Sequence, residues 1–266
     1  MSRVSRKIIS IYDTYIDCIS FGSGKENLLI IPGLGESFIP FKYAKIPLSF
    51  IYRKYAKKYK IYVFNRRNKL PNNFTVKEMA EDYVKCMNIL GIEKTNILGI
   101  SLGGMIAQEI AISKNNLVNK LILVVTIPKS NKIIKDNIDK WLDLAVNKKY
   151  LKIMIDTCNK SYRGLSLVKN RLKYSIMSIF KPNRFDRFII EAKACITHNS
   201  IDRLKSIKNE TLIIGAEKDK ILGVEGSLKL HELLTNSKLY IYKKYSHGVY
   251  EEAKDFKKRV IEFLSK

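Results

Sequence analysis

The chain has 266 residues, 46% hydrophobic and 28% charged, which is enough for one large or two small domains with a sizeable core. No apolar run is long enough to span a bilayer. The basic N-terminus lacks the apolar stretch and cleavage site of a secretory signal, and Cys18, Cys86, Cys158 and Cys195 lack CxxC spacing, which argues against a disulfide frame or a zinc site and for a cytoplasmic setting.

Two β-like pieces, "KIISIY" and "YIDCISF", come first, then a "GSGKEN" turn. "LLIIPG" is a continuous apolar strand, as a sheet covered on both faces requires. "IPLSFIYRKYAKKY" has helical spacing, and "KIYVFNRR" is another strand. "TVKEMAEDYVKCMNILGI" is a marked helix: Thr75 caps it, Glu78 stands three residues on, and Gly91 follows its end. "KTNILGIS" is a strand, "GGMIAQEIAISK" a helix and "VNKLILVV" a strand. Later come the strand "ETLIIGAEKD", the helix "EGSLKLHELL", the strand "SKLYIYKKYSH" and a closing helix "EEAKDFKKRVIEFLSK". Alternating strands and helices imply an α/β fold with a doubly wound, mostly parallel sheet.

Residues 128–200 break that rhythm. "NIDKWLDLAVNKKYLKIMIDTC", "LSLVKNRLKYSIMSIF" and "RFDRFIIEAKACI" read as successive helices with no strand between them. This is too long for an ordinary α/β connection. The expectation is a helical cap at 128–200, with residues 1–127 and 201–266 forming the core.

"LGISLGG" places Gly99, Ser101 and Gly103 in a G-x-S-x-G pattern between a strand and a helix. In that setting the serine is a nucleophile at a strained turn, facing the positive end of the following helix. A serine hydroxyl needs a base, and the base needs an orienting acid. Of the three histidines, His231 lies inside a helix, and His198 follows the insertion, where a structural role is the simpler reading. His247 lies in a loop after the last strand, where ligands meet in open α/β sheets. Asp219, in the loop after "LIIG", is the acid; Glu217 is the reserve and Asp202 a distant third. The oxyanion donors are the backbone N–H groups of Leu102 and of Leu34, the latter in the "IPGLGES" loop.

These four stretches, "LLIIPGLGES", "ILGISLGGMIAQEIA", "TLIIGAEKDKIL" and "YSHGVYEEAKDFKKRVIEFL", make the chain resemble the α/β-hydrolase superfamily over nearly its whole length. The resemblance implies a Ser101 nucleophile, a His247 base, an Asp219 acid and a cap domain where the helical insertion falls. Two features depart from it. Many relatives have His-Gly where this chain has Pro32-Gly33, and many carry a glycine-rich D-x-R-G-x-G-x-S turn where this chain reads "NRRNKLPNN".

The expected activity is cleavage of a carboxylic ester or thioester through an acyl-enzyme, on a small-molecule acyl substrate and with no metal or organic cofactor. An acyltransferase on the same scaffold and a catalytically silent ligand-binding protein are the rivals. The net charge of +24 comes from lysines spread along the whole chain, with no basic arm. No specific nucleic-acid partner is therefore expected, and weak attraction to an anionic membrane surface is what the charge allows. The sequence is silent on oligomeric state.

Overall fold

The computed structural model describes residues 4–38, 41–177, 182 and 185–266. Eight strands build one sheet: β1 (Ser5–Ile11), β2 (Thr14–Phe21), β3 (Glu26–Ile31), β4 (Tyr59–Phe64), β5 (Thr95–Ile100), β6 (Val118–Val124), β7 (Glu210–Ala216) and β8 (Ser237–Tyr242). Their spatial order is β1-β2-β4-β3-β5-β6-β7-β8. β1 and β2 pair antiparallel, as do β2 and β4; every later neighbour is parallel.

The central strands read as apolar runs because both of their faces are buried. Leu28, Ile30, Leu98, Ile100, Ile122 and Val124 feed the core on one side of the sheet. Leu29, Ile31, Ile97, Leu121 and Leu123 feed the core on the other. Alternate residues of one strand thus belong to different cores.

The helices are α1 (Lys45–Ile51), α2 (Arg53–Ala56), α3 (Val76–Ile89), α4 (Leu102–Ser113), α5 (Lys132–Val146), α6 (Tyr150–Ser161), α7 (Gly164–Met177), α8 (Asp186–Thr197), α9 (Glu225–Leu233), α10 (Val249–Glu252) and α11 (Phe256–Leu264). α3 starts with the capping box expected of it: the Glu78 N–H donates to Thr75 Oγ1, and the Thr75 N–H to the Glu78 carboxylate. Three helices expected as single units are broken. The first divides at Tyr52 into α1 and α2, and the closing helix divides at 253–255 into α10 and α11. The first insertion helix divides at 147–149, where Lys148 adopts φ +54° and cannot continue a right-handed helix. The expected helical ends at residues 178–180 and 184 lie outside the described residues.

Between β6 and β7 the chain runs through α5–α8. Its departure and return are pinned together by an antiparallel bridge between Lys129 and Asn199. The Ser200 N–H donates to the Pro128 carbonyl at 2.8 Å, and the Ser130 N–H to that of His198 at 3.1 Å. A 3-10 turn, Ile201–Ser206, leads back to β7. Among the described residues, no helix is long and apolar enough to cross a membrane.

β3 lies between β4 and β5, so the connections leaving β3 and entering β5 run in opposite directions. This strand-order reversal opens a crevice beyond the carboxyl ends of β3 and β5. The loops after β3, β5, β7 and β8 carry the candidate residues to that end of the sheet.

Candidate active site

Ser101 joins β5 to α4 with φ +54° and ψ −120°, a conformation costly for any residue with a Cβ. The surrounding structure holds it there. Its N–H donates to the Val124 carbonyl at 2.9 Å, and its carbonyl accepts from Thr126 Oγ1 at 2.8 Å. The glycines permit a crossing too tight for side chains. A Cβ on Gly103 would lie 2.0 Å from the Ile31 carbonyl oxygen, and one on Gly99 would lie 2.5 Å from that of Gly103.

His247 and Asp219 come from the loops after β8 and β7. His247 Nδ1 lies 2.8 Å from Asp219 Oδ2. The other carboxylate oxygen accepts the N–H groups of Ile221 at 2.8 Å and Leu222 at 3.1 Å, which fixes its rotamer. A carboxylate only accepts, so Nδ1 is the donor in this contact. Ser246 anchors the histidine loop: its one hydroxyl proton lies between the Lys160 and Lys218 carbonyls, both within hydrogen-bond reach of Oγ. Ser101 and His247 line one cavity of about 300 Å³.

The loop after β3 lies beside the serine: a Cβ on Gly33 would stand 3.2 Å from Ser101 Cβ. Leu34 opens a short 3-10 turn, Leu34–Phe38, and lines the cavity. Leu102 is the first residue of α4, so its N–H has no intrahelical acceptor. These are the two backbone donors expected from the sequence.

The remaining candidates lie elsewhere. Glu217 is paired with Lys218 at 2.6 Å on the surface. Asp202 is exposed on the 3-10 turn leading to β7. His231 is exposed, with Nδ1 2.8 Å from Ser237 Oγ. His198 is buried 3.8 Å from Glu109, but Arg203 already holds that carboxylate with two hydrogen bonds. Burial, with the Arg203 charge adding, pushes His198 down to about 4. All four cysteines are free and buried; burial raises the Cys18, Cys86 and Cys195 thiols to about 12, which makes them poor nucleophiles.

One feature beneath the cavity was not read from the sequence. The fully buried Arg66 guanidinium contacts Glu36 at 3.0 Å and Glu191 of α8 at 3.6 Å, and donates to the Pro32 carbonyl at 2.8 Å. Arg187, also on α8, reaches Glu191 at 3.1 Å and Asn65 Oδ1 at 2.6 Å. The cluster ties the Pro32–Phe38 segment to the insertion. Complete burial drives the Glu191 carboxyl up to about 7 despite both guanidinium groups.

Comparison with known proteins adds to this geometry. The sequence model of a family described as "alpha/beta hydrolase fold" matches residues 26–254. A 2-hydroxymuconate semialdehyde hydrolase of Pseudomonas putida is 24% identical over 199 residues, covering 70% of this chain and 68% of that protein. Among solved structures, an alpha/beta hydrolase enzyme from a Medee basin deep-sea metagenome library superposes with a TM-score of 0.86 at 22% identity, covering 98% of each chain. An esterase from Exiguobacterium antarcticum superposes with a TM-score of 0.78 at 19% identity, covering 98% of this chain and 99% of the other.

Proposed function

The chain is an enzyme of the alpha/beta hydrolase fold family, and from that premise we propose that it is a serine hydrolase cleaving a carboxylic ester or thioester through Ser101, His247 and Asp219. The observation that carries the reading is the His247–Asp219 contact of 2.8 Å, on the wall of the cavity that Ser101 also lines.

Ser101 Oγ attacks the acyl carbonyl while His247 Nε2 takes its proton. The backbone N–H groups of Leu34 and Leu102 receive the developing oxyanion. Asp219 keeps the proton on Nδ1 and stabilises the imidazolium. The histidine then protonates the departing alcohol or thiol, and activates the water that frees the acid. Residues 128–200 serve as the cap over this centre. Trp141, Tyr150, Ile153 and Phe188 from it line the cavity together with Phe38 and Met105, the Phe38 ring stacking on that of Phe188 at 4.4 Å. An aromatic and aliphatic wall of this size suits a modest apolar acyl group.

The test is labelling by a fluorophosphonate probe with parallel hydrolysis of short- and medium-chain p-nitrophenyl esters, on the wild type and Ser101→Ala. The wild type should label and turn over, and the folded variant should do neither. Unchanged turnover by Ser101→Ala would sink the assignment.

A further inference from the structure

The chain carries 49 lysines and arginines, yet none of those among the described residues lines the cavity. Two carboxylates do, Glu36 and Glu251. Glu36 is neutralised by Arg66 at 3.0 Å. Glu251 is not: among the described residues its one bond is the hydroxyl of Tyr162, which donates to Oε2 at 2.8 Å. Lys257 feels the Glu251 charge, but its ammonium donates to the Ile51 carbonyl at 2.7 Å. A carboxylate has about four acceptor positions, so most of this one's capacity is unused.

Its surroundings are four tyrosines. Tyr52, Tyr162, Tyr174 and Tyr250 all line the cavity, and the Tyr162 and Tyr174 hydroxyls are 3.2 Å apart. Burial raises all four phenols, with the Glu251 charge adding to the shift, so each ring stays neutral. Glu251 is exposed, on the short helix α10 four residues after His247, which puts it at the rim of the cavity. Lys173 already stands 5.7 Å from the Tyr174 ring centroid, so the attraction for a positive group comes first from the Glu251 charge, and the other aromatic rings add to it where a cation meets their faces. Among the described residues, the cavity wall offers an anionic substrate no lysine or arginine.

Building on the serine-hydrolase reading, we propose that Glu251 and its four tyrosines form a subsite for an ammonium group on the substrate, beside the scissile ester. The positive field of the rest of the molecule does not forbid this, because salt at physiological strength confines exposed charges to about 8 Å.

The test needs no turnover. In Ser101→Ala protein, Trp141 is the one tryptophan and lines the cavity, so its fluorescence reports binding there. The probes are phenyltrimethylammonium and its neutral isostere tert-butylbenzene. The cation should bind about tenfold more tightly than the isostere. Adding Glu251→Gln, which keeps an acceptor for Tyr162, should remove that advantage and leave tert-butylbenzene unchanged. Circular dichroism confirms that each protein is folded. No cation binding, equal affinity for the two probes, or a preference that survives Glu251→Gln would each overturn the subsite. The two readings fail separately. Fluorophosphonate labelling without a cation preference removes the subsite alone. A cation preference without labelling removes the hydrolase reading alone.

Discussion

Alanine at position 103 would carry its Cβ to 2.0 Å from the carbonyl oxygen of Ile31 and 2.7 Å from that of Pro32. Carbon and carbonyl oxygen approach comfortably at about 3.3 Å, so the first turn of α4 and the end of β3 must separate by about 1.3 Å. Neither neighbour is the tip of a flexible side chain. Ile31 is hydrogen-bonded into the sheet, in register with Gly99 of β5, and Arg66 holds the Pro32 carbonyl. Overpacking of this kind costs about 1–3 kcal/mol of stability. The larger effect falls on turnover, because the strained segment carries Ser101 and the Leu102 N–H on one side and the Leu34 loop on the other. A misplacement of about 1 Å costs about 100-fold in rate. Thermal melting and kcat/KM on p-nitrophenyl butyrate measure the two effects. Gly35→Ala is the control from the same loop, since an added Cβ there meets nothing within 4 Å. A Gly103→Ala protein that is folded and within twofold of wild-type kcat/KM would refute the claim that this crossing sets the oxyanion geometry.

Asp219→Asn should lower kcat by about 10⁴-fold with little change in melting temperature. The amide oxygen can still accept the Ile221 and Leu222 N–H groups, but the amide nitrogen turned toward His247 favours the wrong tautomer; an unchanged kcat would remove Asp219 from the triad. His198 predicts a loss of stability on acidification. Its folded pKa, about 4, lies below the ordinary 6.5, so the unfolded chain takes up the proton first. Its stabilising contribution is full above about pH 6.5 and falls by about 3 kcal/mol as pH drops toward 4. Glu191, raised to about 7, works in the opposite sense over the same window. The quantity to measure is therefore the difference between the wild-type and His198→Phe denaturation curves, and a difference that does not change from pH 7 to pH 4.5 would contradict the assignment.

Much of the architecture was legible because it rests on local chemistry. A strand buried on both faces must be an apolar run, so β3, β5, β6 and β7 stand out in the sequence. The candidate site was legible for a related reason: Gly99 and Gly103 flank Ser101 in a turn whose contacts only glycine tolerates. His247 and Asp219 follow from their places after β8 and β7. The helix breaks were harder to read. The pattern around Lys148 contains neither glycine nor proline, and the left-handed residue that ends α5 is a lysine. Nothing local announces the cluster of Arg66, Glu36, Glu191 and Arg187 either. Its members come from distant parts of the chain, and each alone reads as an ordinary surface charge. The same holds for Glu251, which the pattern places at the start of the closing helix, whereas the structure sets it on a separate short helix at the rim of the cavity.

The bridge between Lys129 and Asn199 has a consequence for how such a chain can change over generations. β6 and β7 are zipped together from Lys120–Glu210 to Val124–Ile214, and the chain between them leaves and returns through one clasp. Closing a flexible loop twice as long costs only about 0.6 kcal/mol more, so the sheet is nearly indifferent to what is suspended there. Ser101, Asp219 and His247 all lie outside the clasp, while much of the wall that would touch a substrate lies inside it. Recombination at this doorway can therefore exchange much of that wall as a cassette while keeping the strands that carry Ser101, Asp219 and His247. Such grafts are restrained at the Arg66 junction, where an incoming helix must bring its own carboxylate or strand a buried guanidinium, and at the histidine loop, where Ser246 and the Gly248 N–H rest on the Lys160 and Ser161 carbonyls.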